Sequence, residues 1–187
     1  MPTNPQLSPK AEIWGGSVAG MLRGLEGIGA VPEDVNRLWQ ATGLPEVSSD
    51  CWYSVRTYLA FLERVAQVFG SDAMQSMGRA IPGSSKFPPQ VESLAEALST
   101  LDVAYQVNHR GGVIGRYHCA DVGPGRALMI CENPYPCDLD RGILESLVAR
   151  FQATGVRGSV THLDGRGCRK AGAWACPFEV RWWDAES

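Results

Sequence analysis

Three cysteines toward the end of the chain have residue types and spacing that suit a metal site. Cys137 precedes a predicted helix, and Cys168 and Cys176 flank a short segment that leads into the last predicted strand. Thiolates that lie close together bind soft metal ions, and a structural zinc site takes four nitrogen or sulfur ligands. The sequence therefore predicts zinc at these three cysteines, together with a fourth ligand.

Three residues are candidates for the fourth ligand of this site. His162 and Asp164 lie just upstream of Cys168, and strand alternation places both on the same face. Imidazole is a common zinc ligand, so His162 is the first candidate, with Asp164 and Cys131 as alternatives. The competing interpretation is that the thiols are buried packing residues, because free cysteine is among the most buried residue types.

These candidate ligands have to be positioned by a small sheet and a helix. Helical periodicity dominates from Val18 to Val107, and Gly111-Gly112 marks a change to the period of two that strands show. Two strands, a helix and two more strands follow, with the strands at residues 113–122, 127–131, 156–163 and 177–183. The predicted fold class is therefore α+β, a helical N-terminal half packed on a small antiparallel sheet with an inserted helix.

The length of 187 residues fits one ligand-binding domain. Within residues 1–187 we expect a helical extension at 1–50, a helical half at 51–110, and a sheet half with the cysteine motif at 111–187.

The composition argues against several classes of function. The formal net charge is −3, with acids and bases interspersed, and no run of Lys or Arg indicates nucleic acid. No apolar stretch is long enough to cross a bilayer, and the N-terminus lacks the basic and apolar regions of a secretory signal. No nucleophile motif or phosphate-binding loop indicates an enzyme. We expect a cytoplasmic protein without direct contact to nucleic acid or membrane.

Aromatic side chains are candidates for a ligand pocket. Small-molecule sites are mostly apolar, with a few polar groups that fix the orientation of the ligand. Core packing is the alternative account for each of these side chains. The candidates are Trp52, Tyr58, Phe61, Tyr105 and Tyr117.

The cysteine region resembles a known family. The run from Pro136 to Leu144, followed by Val160-Thr161-His162 and by the segments 168–172 and 176–180, is similar to the C-terminal half of the 4-vinyl reductase domain. That domain occurs in bacteriochlorophyll biosynthesis proteins and in the sensor domains of phenol-responsive activators. The resemblance implies a fold group shared with haem-nitric-oxide-binding domains and TRAPP vesicle-tethering subunits, in which helices and a small antiparallel sheet enclose an apolar pocket.

The resemblance also implies a ligand set. In the phenol sensors, three cysteines and a glutamate hold a zinc beside the pocket, and the cysteines match Cys137, Cys168 and Cys176. Gly165 stands where the glutamate would be, which leaves the fourth position to His162 or Asp164. Haem is not expected, because the Tyr-x-Ser-x-Arg clamp of haem-nitric-oxide sensors has no match at the required spacing.

The function implied is that of a small-molecule sensor, as in transcription regulation. A hydrophobic or aromatic ligand would bind in an internal pocket next to a structural zinc site, and the signal would pass by contact within a homodimer or to a partner signalling protein. Two alternatives stay open. One is a tetrapyrrole-biosynthesis enzyme or accessory factor of the vinyl reductase type, although no nicotinamide or flavin motif is present. The other is a scaffolding or tethering protein.

Overall fold

The computed structural model describes residues 7–88 and 90–184. The first residues of the expected helical extension, 1–6, and the last residues of the expected sheet half, 185–187, lie outside the described ranges, as does residue 89. The elements follow the predicted order of helices first and sheet second. They are β1 (Glu12–Trp14), α1 (Gly15–Glu26), α2 (Pro32–Gln40), β2 (Trp52–Ser54), α3 (Val55–Ala80), α4 (Leu94–Ser99), α5 (Leu101–Val107), β3 (His109–Arg110), β4 (Arg116–Gly123), β5 (Arg126–Glu132), α6 (Cys137–Arg150), β6 (Val156–His162) and β7 (Cys176–Asp184).

The C-terminal sheet has four antiparallel strands in the order β4-β5-β7-β6. Alternating residues of β5 are fully buried, which follows from the period of two in a strand with one covered face. Helix α6, inserted between β5 and β6, covers that face and packs against α3 on its other side. The predicted α+β class and the strand-strand-helix-strand-strand order are thus confirmed.

A second sheet, with the order β2-β1-β3, was not predicted. Its strands have two or three residues each, which is too short for an alternating pattern to be recognised in the sequence. Ile13 and Tyr53 are paired across it and are buried, while Trp14 and Trp52 lie on the opposite, partly exposed face. This small sheet joins the start of α1 to the start of α3 and to the end of α5.

Helix α3 bends at Gly70, where the sequence predicts the end of one helix and the start of another. Gly70 has φ 77° and ψ −167°, a conformation that is essentially restricted to glycine. The part of α3 beyond the bend places Gly78 against Gly142 of α6, and the two backbones are in direct contact there. Within the described ranges, no helix has both the length and the apolar composition needed to cross a membrane.

Candidate functional site

The three predicted cysteine ligands and His162 meet at one end of the four-stranded sheet. Cys137 begins α6, and a short 3-10 turn at Arg169–Ala171 reverses the chain between Cys168 and Cys176. Gly172 ends that turn at φ 86°, a left-handed conformation that glycine adopts without steric cost. Because β6 pairs with β7, His162 lies opposite Phe178, close to the start of β7 at Cys176.

The sulfur–sulfur distances match the edges of a tetrahedral metal site. The Sγ atom of Cys168 lies 3.8 Å from that of Cys137 and 3.8 Å from that of Cys176. A disulfide would require about 2.05 Å. Thiolates bonded to one tetrahedral ion at about 2.3 Å lie about 3.8 Å apart. With the His162 nitrogen, all four ligand atoms lie within 4.8 Å of one another, so the group can hold a metal ion.

His162 has the environment of a metal-ligating histidine. Its Nδ1 contacts the carboxylate of Asp164, while its Nε2 is buried and has no hydrogen-bond partner among the residues that the structure describes. An unpaired buried nitrogen is costly, by about 1–3 kcal/mol. Histidines that bind metals usually donate their other N–H group to a carboxylate or carbonyl. Asp164 therefore lies behind His162, as its hydrogen-bond partner.

The cluster favours one thiolate even without a metal ion. The neighbouring Cys137 thiol, together with the backbone amide and guanidinium of Arg169, holds the pKa of Cys176 well below its usual range. The same interaction with Cys176, together with burial, raises the pKa of Cys137. Cys131 faces Cys176 across the β5–β7 pair, but burial raises the pKa of its thiol well above the usual value, so Cys131 stays neutral.

A buried ion pair lies directly beside the cluster. Asp140, one turn into α6, is fully buried and forms a salt bridge with Arg169. It also accepts hydrogen bonds from the Tyr117 hydroxyl at 2.5 Å and from the Asn133 amide at 3.0 Å. Arg169 additionally donates to the Asn133 backbone carbonyl and to its side-chain oxygen. Every oxygen of this carboxylate therefore has a partner, as burial of a charge requires.

On the other side of Tyr117 lies an apolar cavity of about 50 Å³. It is partly open and lies between β1, α1, the loop after α3, α5, β3, β4 and α6. Three tyrosines, one histidine and several aliphatic side chains form most of its wall. The lining residues are Ile13, Ser17, Met21, Ile81, Pro82, Ser85, Phe87, Leu101, Ala104, Tyr105, Asn108, His109, Tyr117, Tyr135, Leu139 and Ile143.

His109 is held in one tautomer at the edge of this cavity. Its Nδ1 lies 2.7 Å from the backbone oxygen of Tyr105, and its Nε2 lies 2.7 Å from the Tyr135 hydroxyl. A carbonyl oxygen can only accept, so Nδ1 carries the proton and Nε2 accepts from Tyr135. Burial lowers the pKa of His109 to about 4, against the opposing effect of the Tyr105 carbonyl, so the imidazole is neutral at pH 7.

The five predicted pocket residues lie in three different places. Tyr105 and Tyr117 line the cavity, with ring centroids 5.1 Å apart in an edge-to-face arrangement. Tyr58 and Phe61 instead pack against Trp39 in the core of the helical half, and only the Tyr58 hydroxyl approaches the cavity wall, at Met21. Trp52 lies on the outer face of the small sheet, where the guanidinium of Arg110 stacks on it.

Several residues of this region were not among the predicted site residues. They are His109, Asn133, Tyr135, Asp140 and Arg169. For Asp140 a signal existed, because it shares a helical face with Ile143, Leu144 and Leu147 at spacings of three, four and seven residues. An acid on an apolar face indicates a buried partner. No comparable pattern points to Tyr135, which lies between two prolines.

Comparison with known proteins identifies the fold. No family model and no curated protein matches the sequence. An H-NOX protein from S. oneidensis in the Fe(II)NO ligation state superposes with a TM-score of 0.71 at 12% identity, covering 92% of this chain and 100% of that one. An oxygen-binding H-NOX domain related to soluble guanylate cyclases gives 0.65 at 14%, covering 91% and 96%. A point mutant of T. tengcongensis H-NOX gives 0.66 at 14%, covering 90% and 96%.

Two expectations from the sequence are wrong in the light of these structures. The similar structures are H-NOX domains and not 4-vinyl reductase domains, so only the wider fold group was predicted correctly. Zinc in place of haem was the expected cofactor, whereas the solved structures include an Fe(II)NO ligation state and a study of heme distortion in the H-NOX family. The comparisons give zinc, a vinyl reductase activity and transcription regulation no support. At 12–15% identity, the likeness establishes that this chain has the H-NOX fold.

Proposed function

We propose that this chain is a small-molecule sensor domain whose ligand binds in the cavity beside His109. The fold supports this proposal, because one structural neighbour is an oxygen-binding H-NOX domain. The observation that carries it is a neutral, partly buried imidazole at the edge of an apolar cavity, whose Nε2 lone pair accepts a hydrogen bond from the hydroxyl of Tyr135. A ligand oxygen that donates to Nε2 can replace that hydroxyl.

The cavity restricts the ligand to a small and largely apolar molecule. A volume of about 50 Å³ exceeds the roughly 10–15 Å³ that one water requires, but is far below the roughly 300–1,000 Å³ of typical ligand pockets. A molecule the size of phenol therefore enters only if the tyrosine side chains move. Such a movement is the population shift between closed and opened states on which a sensor depends.

The structural neighbours suggest haem as a candidate group for this cavity, because their descriptions name an Fe(II)NO ligation state and heme distortion. The donor chemistry of His109 suits an iron ligand, because a metal-binding imidazole is neutral and donates its other N–H group to a carbonyl or carboxylate. The space and charge do not suit it, since the cavity is too small for a porphyrin and its described lining contains no Arg or Lys for the propionates. The residues in this arrangement therefore do not accommodate haem, and the proposed mechanism contains no step through it.

We further propose that Cys137, His162, Cys168 and Cys176 together bind a metal ion. Three soft thiolates and one imidazole within 4.8 Å support a tetrahedral site with four protein ligands. With all positions filled by the protein, such a site is structural and leaves no open position for a substrate. The ion would tie the start of α6 to the end of β6 and the start of β7, and so fix one wall of the cavity.

The signal is proposed to pass by contact, to a second copy of this chain or to a partner protein. The side chains of Trp174, near the metal-site turn, and Trp183, near the end of β7, are 51% and 48% exposed. Exposed tryptophans are enriched at protein interfaces because they combine a large apolar surface with a hydrogen-bond donor. Sedimentation of the wild type and of Trp183→Ser measures whether this end of the sheet supports self-association.

The ligand proposal is tested with xenon and phenol as probes. Ala104→Leu adds three carbon atoms inside the cavity, whereas Val103→Leu enlarges an exposed side chain on the same helix. We expect xenon and phenol to bind the wild type and Val103→Leu, measured by NMR of the probes, and to lose binding in Ala104→Leu. Equal binding to all three proteins would contradict the proposal. Haemin binding with a Soret band that disappears in His109→Ala would instead identify haem as the bound group.

The metal proposal is tested by elemental analysis of protein purified without added metal or a chelating tag. We expect about one bound ion per chain in the wild type and loss of that ion in Cys168→Ser. Cys51→Ser is the matched control, because Cys51 is exposed and lies outside the cluster. A metal-free wild type that also fails to bind added Co²⁺ would rule out the site.

A further inference from the structure

The buried ion pair contacts both the cysteine cluster and the cavity wall. Arg169 faces the cluster: its backbone N–H lies 3.2 Å from Cys176 Sγ, and its Nε lies 3.4 Å from the same atom. The other end of the same guanidinium forms the salt bridge with Asp140. One side chain is thus shared between a cysteine sulfur and a buried carboxylate.

Asp140 continues this connection to the cavity. It accepts a hydrogen bond from the hydroxyl of Tyr117, whose ring lines the cavity and packs against Tyr105. Tyr117 is held at its other end as well, because its backbone N–H donates to Asp102 at 2.9 Å. Its ring can respond to Asp140 without movement of the strand that carries it.

Few alternative partners are available along this connection. Asp140 is fully buried and Tyr117 is 4% exposed, so water cannot readily replace a lost hydrogen bond there. In an interior of low dielectric, a redistribution of charge at one end of a hydrogen-bonded chain is felt by its neighbours. A metal ion that binds the Cys176 sulfur withdraws electron density from it, so the relative strengths of the Arg169 interactions with this sulfur and with Asp140 must change.

We propose that Arg169 and Asp140 are positioning residues that couple metal occupancy of the cysteine cluster to the placement of Tyr117 in the cavity. This inference rests on the proposed function, since it requires a metal at the cluster and a sensory role for the cavity. The coupling is reciprocal by thermodynamic necessity, so a ligand that moves Tyr117 alters the affinity of the cluster for metal by the same factor.

The test uses the full chain, labelled with ¹³C at the Cζ position of tyrosine and freed of metal with a chelator. The chain has five tyrosines, and Tyr117→Phe assigns the relevant line. Cd²⁺, a diamagnetic soft metal ion, is then added. We expect the Tyr117 line to shift with one equivalent of Cd²⁺. The Tyr53 line should stay in place, because its hydroxyl contacts the backbone of Glu46 and Ser48 in the loop before β2.

The Arg169–Asp140 ion pair is the proposed relay between the cluster and Tyr117. It is removed with the double variant Arg169→Gln, Asp140→Asn. Arg169→Gln alone would leave an unpaired buried carboxylate and endanger folding, whereas the double variant is neutral and can still form hydrogen bonds. Lys170→Gln is the matched control, because Lys170 is adjacent but pairs with Asp138 at the surface. We expect both variants to bind Cd²⁺, measured by its own NMR signal, and only the double variant to lose the Tyr117 shift.

The outcomes separate this inference from the proposed function. An unchanged Tyr117 shift in the double variant would show that metal binding reaches the tyrosine by another route, and would overturn the relay. Bound Cd²⁺ without a Tyr117 shift in the wild type would overturn the coupling and leave the metal site intact. A wild type that binds no Cd²⁺ would overturn both the metal site and the coupling.

Discussion

At the level of single residues, His109 and His162 use the same chemistry in different surroundings. Each histidine has its Nδ1 beside an oxygen, so that the lone pair of Nε2 can bind a metal ion or accept a hydrogen bond. For His162 that atom faces three sulfurs, and for His109 it faces a tyrosine hydroxyl at an apolar cavity. The neighbours of Nε2 therefore distinguish a metal ligand from a contact for a small molecule.

The burial of His109 predicts a specific dependence of stability on pH. Its pKa is about 4 in the folded state and about 6.5 when unfolded, so the unfolded chain binds a proton first as the pH falls. The stabilisation is complete above about pH 6.5 and is lost progressively down to about pH 4, by roughly 3 kcal/mol at most. Urea unfolding across this range should show a smaller loss for His109→Gln than for the wild type.

The control for this titration is His118→Gln, which removes an exposed histidine from β4. It should reproduce the pH dependence of the wild type, because the imidazole of His118 is exposed and lies outside the lining of the cavity. If His109→Gln and the wild type lost stability in parallel between pH 6.5 and pH 4, His109 would not be the neutral buried group described above.

At the level of elements, the crossing of α3 and α6 positions both sites. Cys137 and Asp140 lie in the first turns of α6, and Leu139 and Ile143 of the same helix line the cavity. The helices approach closely because Gly78 and Gly142 stand at the contact. Small residues at a helix crossing allow backbone-to-backbone contact, so a side chain added there must push the helices apart.

Gly142→Ala is therefore expected to destabilise the protein. The added methyl group would lie 2.1 Å from the backbone oxygen of Gln75, and overpacking of this kind costs about 1–3 kcal/mol. Alanine is also about 1 kcal/mol more favourable than glycine in a helix interior, and the net effect is destabilising because the overpacking cost exceeds this gain. The measurement is the free energy of unfolding in urea. Gly123→Ala, at a position with no atom within 4 Å of the added methyl, should change it little. Stabilisation by Gly142→Ala would refute the close contact.

At the scale of the whole molecule, the cysteine cluster joins parts of the chain that are far apart in sequence. Cys137 and Cys176 are separated by 39 positions, and the ion they are proposed to share would connect α6 with β6 and β7. The four-stranded sheet has β7 in its interior, between β5 and β6. A tie at the start of β7 thus restrains the sheet and the helix that covers it.

Removal of the metal is therefore expected to lower the thermal stability of the entire fold. An ion at a hundredfold excess over its dissociation constant contributes about 2.7 kcal/mol, which corresponds to about 5–10 °C in a domain of this size. Thermal unfolding followed by circular dichroism with and without a chelator measures the effect. Cys168→Ser should unfold at the same temperature in both conditions. A chelator that leaves the melting temperature of the wild type unchanged would exclude a stabilising metal.

The elements of the sheet half and the approach of Cys168 to Cys176 could be predicted from the sequence because they depend on local patterns. A continuous apolar run from Ala127 to Cys131 defines β5, and Gly111-Gly112 marks the transition from helices to strands. Cys168 and Cys176 flank a segment that contains Gly172, which indicates that the chain reverses its direction there and brings the two sulfurs close together. For these features, the interactions that determine the structure lie within about ten residues along the chain.

The cavity and its link to the cluster depend on contacts between distant segments. Tyr58 and Tyr105 are equally suitable pocket residues by type, and only the packing of α3 against Trp39 directs Tyr58 into the core. Asp140 and Arg169 are 29 positions apart, on elements whose relative placement follows from the pairing of β6 with β7 and the packing of α6. Residue type and periodicity carry no information about such long-range pairings, which are decided when the helices and the sheet bury their apolar faces against one another.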